Sequence, residues 1–440
     1  MGRQEEIAHE RVKKLEALKK EGINPYPNKF DVRDKTVELH AEYNKLKAGS
    51  SSKDKASVSG RLLRIRALGK ITFCELYDGT GTIQLILQEK ETPEKVRVFF
   101  KKYIDSGDIV GVNGRVMRTH RGELSVLVRK LELLTKSILP LPDKFHGLVD
   151  EEERLRKRYL DIITNPEIRE LFVRKSRFWN AMRNFFLERG FLEVETPVLE
   201  TTTGGAAATP FKTHHNALDL DVYLRISMGE LWQKKLMVAG YSKTFELGRQ
   251  FRNEGMDAEH LQDYTQMEFY WAYANYENGM KLVEELYRKL AREIYKKTKF
   301  TYGKFSFDLG KKWKRIDYAT AIKKELKIDI FNASKGEMEK KLRELKQEFA
   351  PNLERGRLMD LIWKFCRKSI AGPVFLTGQP VDVSPLAKRD SKDQRKVEQF
   401  QVIIAGSEMG NGYSELNDPF DQEERFKEQR ILREAGDSET

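Results

Sequence analysis

The sequence predicts an α+β protein of two or three domains, with a small five-stranded β-barrel ahead of a larger mixed domain. Three observations predict it. At 440 residues the chain is too long for one ordinary core. Residues 57–135 read as short alternating strands in the order three strands, one helix, two strands. From about residue 151 helical and extended patterns alternate.

The N-terminal segment, 1–56, is read as a helical extension. Ile7, Val12, Leu15 and Leu18 fall at helical spacing over residues 5–21, with Lys and Arg between them, and Gly22 and the Pro25-Tyr26-Pro27 segment end the helix. In 57–135, SVSGRLLRIRA, KITFCELYDGT and GTIQLILQ precede a polar helical stretch near 92–104. DIVGVNGRVMRT and GELSVLVRKLELL follow it. Apolar residues recur with period two in Ile83–Leu87 and Leu124–Val128, and Asp78-Gly79 supplies a turn. This is the element order of an OB barrel, a fold that commonly binds single-stranded nucleic acid. Residues 136–150 carry two prolines and read as a linker.

The remaining domain, 151–440, opens with a helix over 170–189 that ends at Gly190, followed by a strand at FLEVETPVL. Strands flank a helix near 229–239. Residues 277–298 form an amphipathic helix with Leu282, Val283, Leu286, Leu290 and Ile294 on one face. Residues 312–370 are charge-rich and helical, and read as an insertion between two parts of one core. Strands resume at PVFLTGQPVDVSP and FQVIIAG.

Composition narrows the function class. Lys and Arg number 80 against 68 Asp and Glu, a net charge of +12, which favours a polyanionic partner such as nucleic acid. The two cysteines, Cys74 and Cys366, lie in apolar runs with no CxxC, which argues against a disulfide framework or zinc knuckle and for a reducing compartment. The N-terminus is polar and charged, unlike a signal peptide, and no apolar run approaches membrane-spanning length. The expectation is a cytoplasmic protein with no membrane partner.

Chemistry concentrates in FELGRQFRNEGMDAEHLQDYTQMEFYWAYANY, residues 245–276. Arg252 and Glu254 are two apart, so on an extended strand they face the same way. A strand, a loop containing Gly255 and a second strand would form a hairpin. Its walls could hold a phosphate with the planar fork of Arg252 and a base amine with Glu254. Taken alone, such a pair is more often a surface ion pair.

FRNEG followed by HLQDYTQMEFY resembles motif 2 of the class II aminoacyl-tRNA synthetases, in its lysyl form. GFLEVETPVL resembles motif 1. TTTGGAAATPFKTHHNALDLDVYLRIS, VDVSPLAKRD and GSEMGNGYSELNDPFDQEERF resemble further lysyl-family segments, whereas HIGH and KMSKS are absent. The resemblance runs from about residue 5 to 436. It implies an antiparallel-sheet catalytic domain behind an OB-fold anticodon-binding domain. It also implies ATP and lysine as substrates, Mg²⁺, tRNA(Lys) as partner, and a homodimer formed through motif 1.

Carried over by position, Arg252 would act in catalysis, binding the α-phosphate and the lysine carboxylate. Glu254, His260 and Tyr264 would complete the ATP site. Glu230 and the backbone at Gly205 would hold the lysine α-ammonium, and Glu268, Tyr270, Asn411 and Glu415 would surround the side chain. A buried ε-ammonium needs carboxylate partners, whereas an aspartate site would need Lys or Arg there. RISMGEL carries one residue more than the RIAPEL-like form expected at this point. Glu408 matches one magnesium-ligand position, while the other is occupied by Gln401, which brings oxygen without charge. Arg66, Phe73 and Gln84 match anticodon readers, with a base stacked on Phe73. Motif 3, a GxGxxR segment, is expected after EAGD and is not found before Thr440, so the resemblance implies a catalytic domain incomplete at the C-terminus. Two functions follow as expectations: a lysine–tRNA ligase, or an inactive truncated synthetase that still binds tRNA.

Overall fold

The N-terminal helical pattern produces α1, Arg3–Lys20, in the computed structural model, which describes residues 2–142, 148–202, 204–206, 208–256, 260–351 and 353–434. Leu18 on α1 is fully buried in the core of the first unit, and Gly22, at φ +72°, follows the helix end. A short α2, Thr36–Glu42, precedes the barrel. The strands β1 (Ser51–Leu68), β2 (Ile71–Tyr77) and β3 (Thr82–Gln88) precede α3 (Glu94–Tyr103). Strands β4 (Ile109–Arg118) and β5 (Leu124–Thr135) complete the barrel. It closes in the order β1-β2-β3-β5-β4. Period-two alternation sends Cys74, Leu76, Ile83, Leu85, Val110, Val112 and Val126 inward. The Asp78 carboxylate fixes the turn between β2 and β3 by accepting from the amides of Thr80 at 2.7 Å and Gly81 at 3.0 Å.

Strand β1 begins before the expected domain start at 57. Ser51 pairs with Met117 and Lys55 with Arg115 on β4, across an irregularity in register. Backbone pairing, not side-chain burial, orders this polar SSKDK run, so the hydrophobic pattern gave no sign of it. The expected linker begins tied to the barrel: the buried Lys136 ammonium donates to Asp108 at 2.8 Å and to the Tyr103 carbonyl at 2.7 Å. Residues 143–147 of that segment lie outside the described residues. Helices α4 (Glu151–Arg156) and α5 (Arg158–Thr164) follow. The chain divides into compact units at 1–170 and 171–440, later than the expected boundary at 150/151 and within α6, Pro166–Leu187.

In the second unit FLEVETPVL is not one strand. It gives two short pieces, β6 (Leu192–Glu193) and β7 (Leu199–Glu200), in different sheets, with Pro197 between them unable to donate to a ladder. Then come β8 (Lys212–His215), β9 (Leu220–Leu224), a π-helical turn at Gly229–Gln233 and α7 (Lys234–Val238). Strands β10 (Lys243–Phe251) and β11 (Asp263–Trp271) form an antiparallel hairpin with Lys243 opposite Trp271 and Phe251 opposite Asp263. Helix α8, Tyr276–Tyr295, leads to a small hairpin of β12 (Lys299–Tyr302) and β13 (Phe305–Asp308).

The segment expected as a helical insertion opens instead with a strand, β14 (Lys314–Asp317), and continues as α9 (Tyr318–Leu326), α10 (Lys335–Glu344) and α11 (Arg355–Arg367). Strands β15 (Val374–Thr377), β16 (Gln399–Ile404) and β17 (Ser407–Tyr413) and helix α12 (Pro419–Glu434) complete the unit. Strand β14 pairs parallel to β15 at the edge of the sheet β14-β15-β16-β17. The helices pack on that sheet through Tyr318, Ile322, Leu358, Ile362 and Trp363 against Leu376 and Ile403. The three helices thus lie in sequence between two paired strands of one sheet and pack on that sheet. KRID is too short and too charged to stand out as a strand.

Among the described residues pairing is antiparallel except for β3 with β5 in the barrel and, in the second unit, β6 with β10 and β14 with β15. Helix α8 joins the two main sheets. Its Leu282, Leu286 and Leu290 pack with Phe185, Phe186 and Phe245, and its Met280 and Ala291 pack with Phe375, Phe400 and Val402. Each fully buried leucine or phenylalanine contributes roughly 1.5–3 kcal/mol relative to exposure. Residues of β11 and β17 line one cleft.

Candidate active site

The cleft measures about 3080 Å³ and lies wholly within the second unit. Its amino-acid half is built from β11, the π turn and β17. On β11 Gln266, Glu268 and Tyr270 share one face through period-two alternation. Gln266 Nε2 donates to Glu268 Oε1 at 2.6 Å. Gly229 lies against these side chains: a methyl there would fall 2.4 Å from Glu268 Oε2 and 2.7 Å from the Tyr270 hydroxyl.

A π turn follows the start of RISMGEL, at Gly229–Gln233. The Lys234 amide bonds to the Gly229 carbonyl, closing one residue wider than an α turn. With this turn in place Glu230 faces the cleft. Glu230 accepts from the Tyr413 hydroxyl through Oε1 and pairs with Lys234 through Oε2. Lys234 also pairs with Glu415 at 2.7 Å. Gly205, at φ +85°, approaches so closely that a Cβ would lie 2.3 Å from Glu230 Cβ. Gly205, Glu230, Glu268, Tyr270 and Glu415 therefore converge. Asn411 lines the same cleft with its amide turned to Glu408, donating at 3.3 Å.

Burial raises the Glu268 carboxyl to about 7; Glu230 and Glu246 push it the same way, and the Met228 amide and Arg252 offset only part. Burial also raises Glu415, with Lys234 opposing. For Lys234 burial alone would favour the neutral amine, but Glu230 and Glu415 outweigh it and hold the ammonium above its usual value. Burial keeps the Tyr270 and Tyr413 phenols protonated as donors.

The nucleotide half is built differently. Strand β10 ends at Phe251, so Arg252 and Glu254 stand in the turn and not, as expected, on the strand. The Arg252 amide donates to the Gln262 carbonyl at 2.8 Å, its guanidinium lies 5.7 Å from the Tyr264 ring centroid, and its Nε is buried without a hydrogen-bond partner. Glu254 is exposed and accepts from the Thr209 amide at 3.2 Å. His260 is exposed on the same cleft. Glu254 and His260 line a rim, with Arg252 and Tyr264 beneath it.

The expected metal pair is not assembled. Gln401 Oε1 accepts from the Trp363 indole at 3.0 Å, and Gln401 is not among the residues that line the cleft. Glu408 stands opposite Ile403 on β17 and faces the cleft. Among the described residues no group of three histidine, cysteine or carboxylate side chains is placed to hold an ion. Glu408 fits a magnesium ion as a single carboxylate ligand; Gln401 does not.

Sequence reasoning missed three groups. Lys234 was signalled by the i,i+4 spacing of Glu230 and Lys234, and Gln266 by its two-residue offset from Glu268. Tyr413 had no local signal, because its partner lies far away in the chain. A further buried pair, Arg225 with Glu246 at 2.7 Å, is completed by the Thr196 hydroxyl at 2.7 Å and anchors the loop carrying Glu230 to β10.

On the barrel, Arg66 and Phe73 are direct cross-strand partners on β1 and β2. Gln84 lies on β3 opposite Glu75, and its side chain accepts from the Ser125 hydroxyl at 2.9 Å. Cys74, Leu76, Ile83 and Leu85 alternate with Phe73 and Gln84 into the core. All three expected readers therefore share the outer face.

Residues 150–439 match the family of class II tRNA synthetases (D, K and N), and residues 56–134 match the OB-fold nucleic acid binding domain. The lysine–tRNA ligase of Moorella thermoacetica is 43% identical over 431 residues, covering 98% of this chain and 87% of its own length. The lysine–tRNA ligase of Thermosipho melanesiensis is 40% identical over 435 residues, covering 99% and 86%. That of Pasteurella multocida is 42% identical over 442 residues, covering 98% and 87%. With an OB barrel ahead of a carboxylate-lined cleft, and relatives matched along nearly its whole length, the chain belongs to the class II tRNA synthetases.

Proposed function

We propose that this protein is a lysine–tRNA ligase, which activates lysine with ATP and transfers it to tRNA(Lys). One observation carries the choice of lysine: Glu230, Glu268 and Glu415 converge in one pocket, beside Arg252 in the same cleft. Three carboxylates with a tyrosine hydroxyl suit a ligand with two ammonium groups and would repel the side chain of aspartate.

Glu230 and the backbone at Gly205 hold the α-ammonium. Glu268, Tyr270, Asn411 and Glu415 enclose the ε-ammonium. Arg252 pairs with the lysine carboxylate and the α-phosphate of ATP, while Glu254, His260 and Tyr264 bind the adenine end. The carboxylate is already ionised, so no general base is needed. It attacks the α-phosphorus and pyrophosphate leaves; the 3′-hydroxyl of tRNA then displaces AMP from the lysyl adenylate. The residues contribute positioning and charge neutralisation. Magnesium, held by Glu408 together with the phosphates, would add positive charge beside them.

Arg66, Phe73 and Gln84 read the anticodon. A homodimer through motif 1 is supported by the exposed Phe172 on α6 and by exposed Leu192, Val198 and Leu199 beyond it. A cytoplasmic location accords with two unpaired, buried cysteines.

Lysine-dependent exchange of pyrophosphate into ATP tests the reading. Exchange with lysine and not with aspartate or asparagine is expected; exchange driven by aspartate or asparagine alone would sink it. For the barrel, Phe73→Ala should raise KM for tRNA(Lys) by about tenfold, since stacking one base contributes roughly 1–3 kcal/mol, and leave pyrophosphate exchange unchanged. An unchanged tRNA KM removes Phe73 from recognition.

A further inference from the structure

The pocket contains a cation of its own. The Lys234 ammonium bridges Glu230 and Glu415 at 2.7 Å or less, from the turn that follows Glu230 by one helical step. About a quarter of its side chain is exposed, so this is not a solvated surface pair. Resting on the lysine–tRNA ligase reading, we propose that Lys234 is a positioning residue that stands in for the substrate ammonium in the empty site and balances the pocket charge in the filled one.

The argument is charge conservation in a poorly solvated space. Three carboxylates face the pocket: Glu230, Glu268 and Glu415. A fourth, Glu246, is already matched by Arg225. Lysine brings two ammonium groups, and its own carboxylate is answered by Arg252. One carboxylate is therefore left over, and Lys234 is the cation that matches it. In the empty site the negative excess is reduced but not cancelled. Lys234 spans Glu230 and Glu415, and Glu268 holds a proton for part of the time, its carboxyl being raised to about 7. When lysine enters, its α-ammonium takes Glu230 from Lys234. Lys234 stays on Glu415, and the ε-ammonium replaces the proton at Glu268. Glu230 is meanwhile held by the Tyr413 hydroxyl, so it keeps its aim during the exchange of partners.

Charge balance gives a signature that simple structural support does not. Lys234→Met leaves three carboxylates for two ammonium groups. Glu415→Gln leaves two carboxylates for three, with Lys234 clamped on Glu230 and competing with substrate. The double variant is balanced again. Calorimetric titration of lysine into the full chain should show each single variant weakened by about tenfold or more, and the double bound more tightly than either. Lys234→Arg, which keeps the charge, should stay within about threefold of wild type. Thermal melting of each variant separates weak binding from failure to fold, and if Lys234→Met does not fold, Glu415→Gln against the double variant decides. Losses that multiply in the double variant, or a folded Lys234→Met that binds lysine like wild type, overturn the proposal while leaving the lysine reading intact. A wild-type chain that binds aspartate and no lysine overturns both.

Discussion

The two halves of the cleft are held in opposite ways. The amino-acid half is wired before any ligand arrives: Glu230 to Tyr413 and Lys234, Glu415 to Lys234, Glu268 to Gln266, with Gly205 and Gly229 letting backbone approach these side chains. Its groups sit on β11, on β17 and just past its end, and on a helical turn. The nucleotide half sits past the end of β10, where Glu254 and His260 are exposed and Arg252 keeps a buried Nε without a partner. The difference teaches where selectivity is stored. A site that must accept lysine and reject other amino acids needs fixed, desolvated charges, whereas ATP brings its own charge and can organise a looser rim.

The largest test of this contrast is Gly229→Ala. The added methyl would overlap the Glu268 carboxylate at 2.4 Å and the Tyr270 hydroxyl. Overpacking of this kind costs up to about 3 kcal/mol, or roughly a hundredfold in KM for lysine, with KM for ATP little changed. Equal losses for both substrates in pyrophosphate exchange would show that the halves are not independent.

Proton coupling comes next. Glu268 has a carboxyl raised to about 7 by burial, and it can pair an ammonium only when ionised. Lysine affinity should therefore fall as pH drops below about 7, approaching about tenfold per unit, because binding expels one proton. The sign for stability is the reverse. A carboxyl raised in the folded state favours the empty protein at low pH, and that contribution is lost as pH rises from about 4.5 to about 7. Calorimetry in buffers of different ionisation enthalpy measures the released proton; no release near pH 7 would place Glu268 outside the lysine contact.

The same contrast governs what the sequence could reveal. Periodicity exposed α1, α8 and the barrel order, because each buries one apolar face and the pattern of side chains follows directly. It failed where backbone pairing or sheet context decides: the polar start of β1, the charged β14, and the break of FLEVETPVL at Pro197. The site residues Glu230, Glu268 and Glu415 were legible through motif resemblance. Their wiring was not, since Tyr413 meets Glu230, and Trp363 on a distant helix meets Gln401, only after the chain has folded. The π turn was foreshadowed by one surplus residue, but spacing alone could not say whether it would push Glu230 out of the pocket.

The smallest expected effect belongs to the rim. Glu254 is exposed and its carboxylate accepts from the Thr209 amide at 3.2 Å, so it has lost little hydration. A hydrogen bond that such an exposed group accepts from the adenine amine contributes about 0.5–1.5 kcal/mol. Glu254→Gln keeps an acceptor oxygen and removes only charge. KM for ATP should rise about threefold in pyrophosphate exchange, with KM for lysine unchanged. A hundredfold rise would mean that Glu254 is desolvated once ATP is in place, making the nucleotide half as selective as the lysine pocket and erasing the distinction between them.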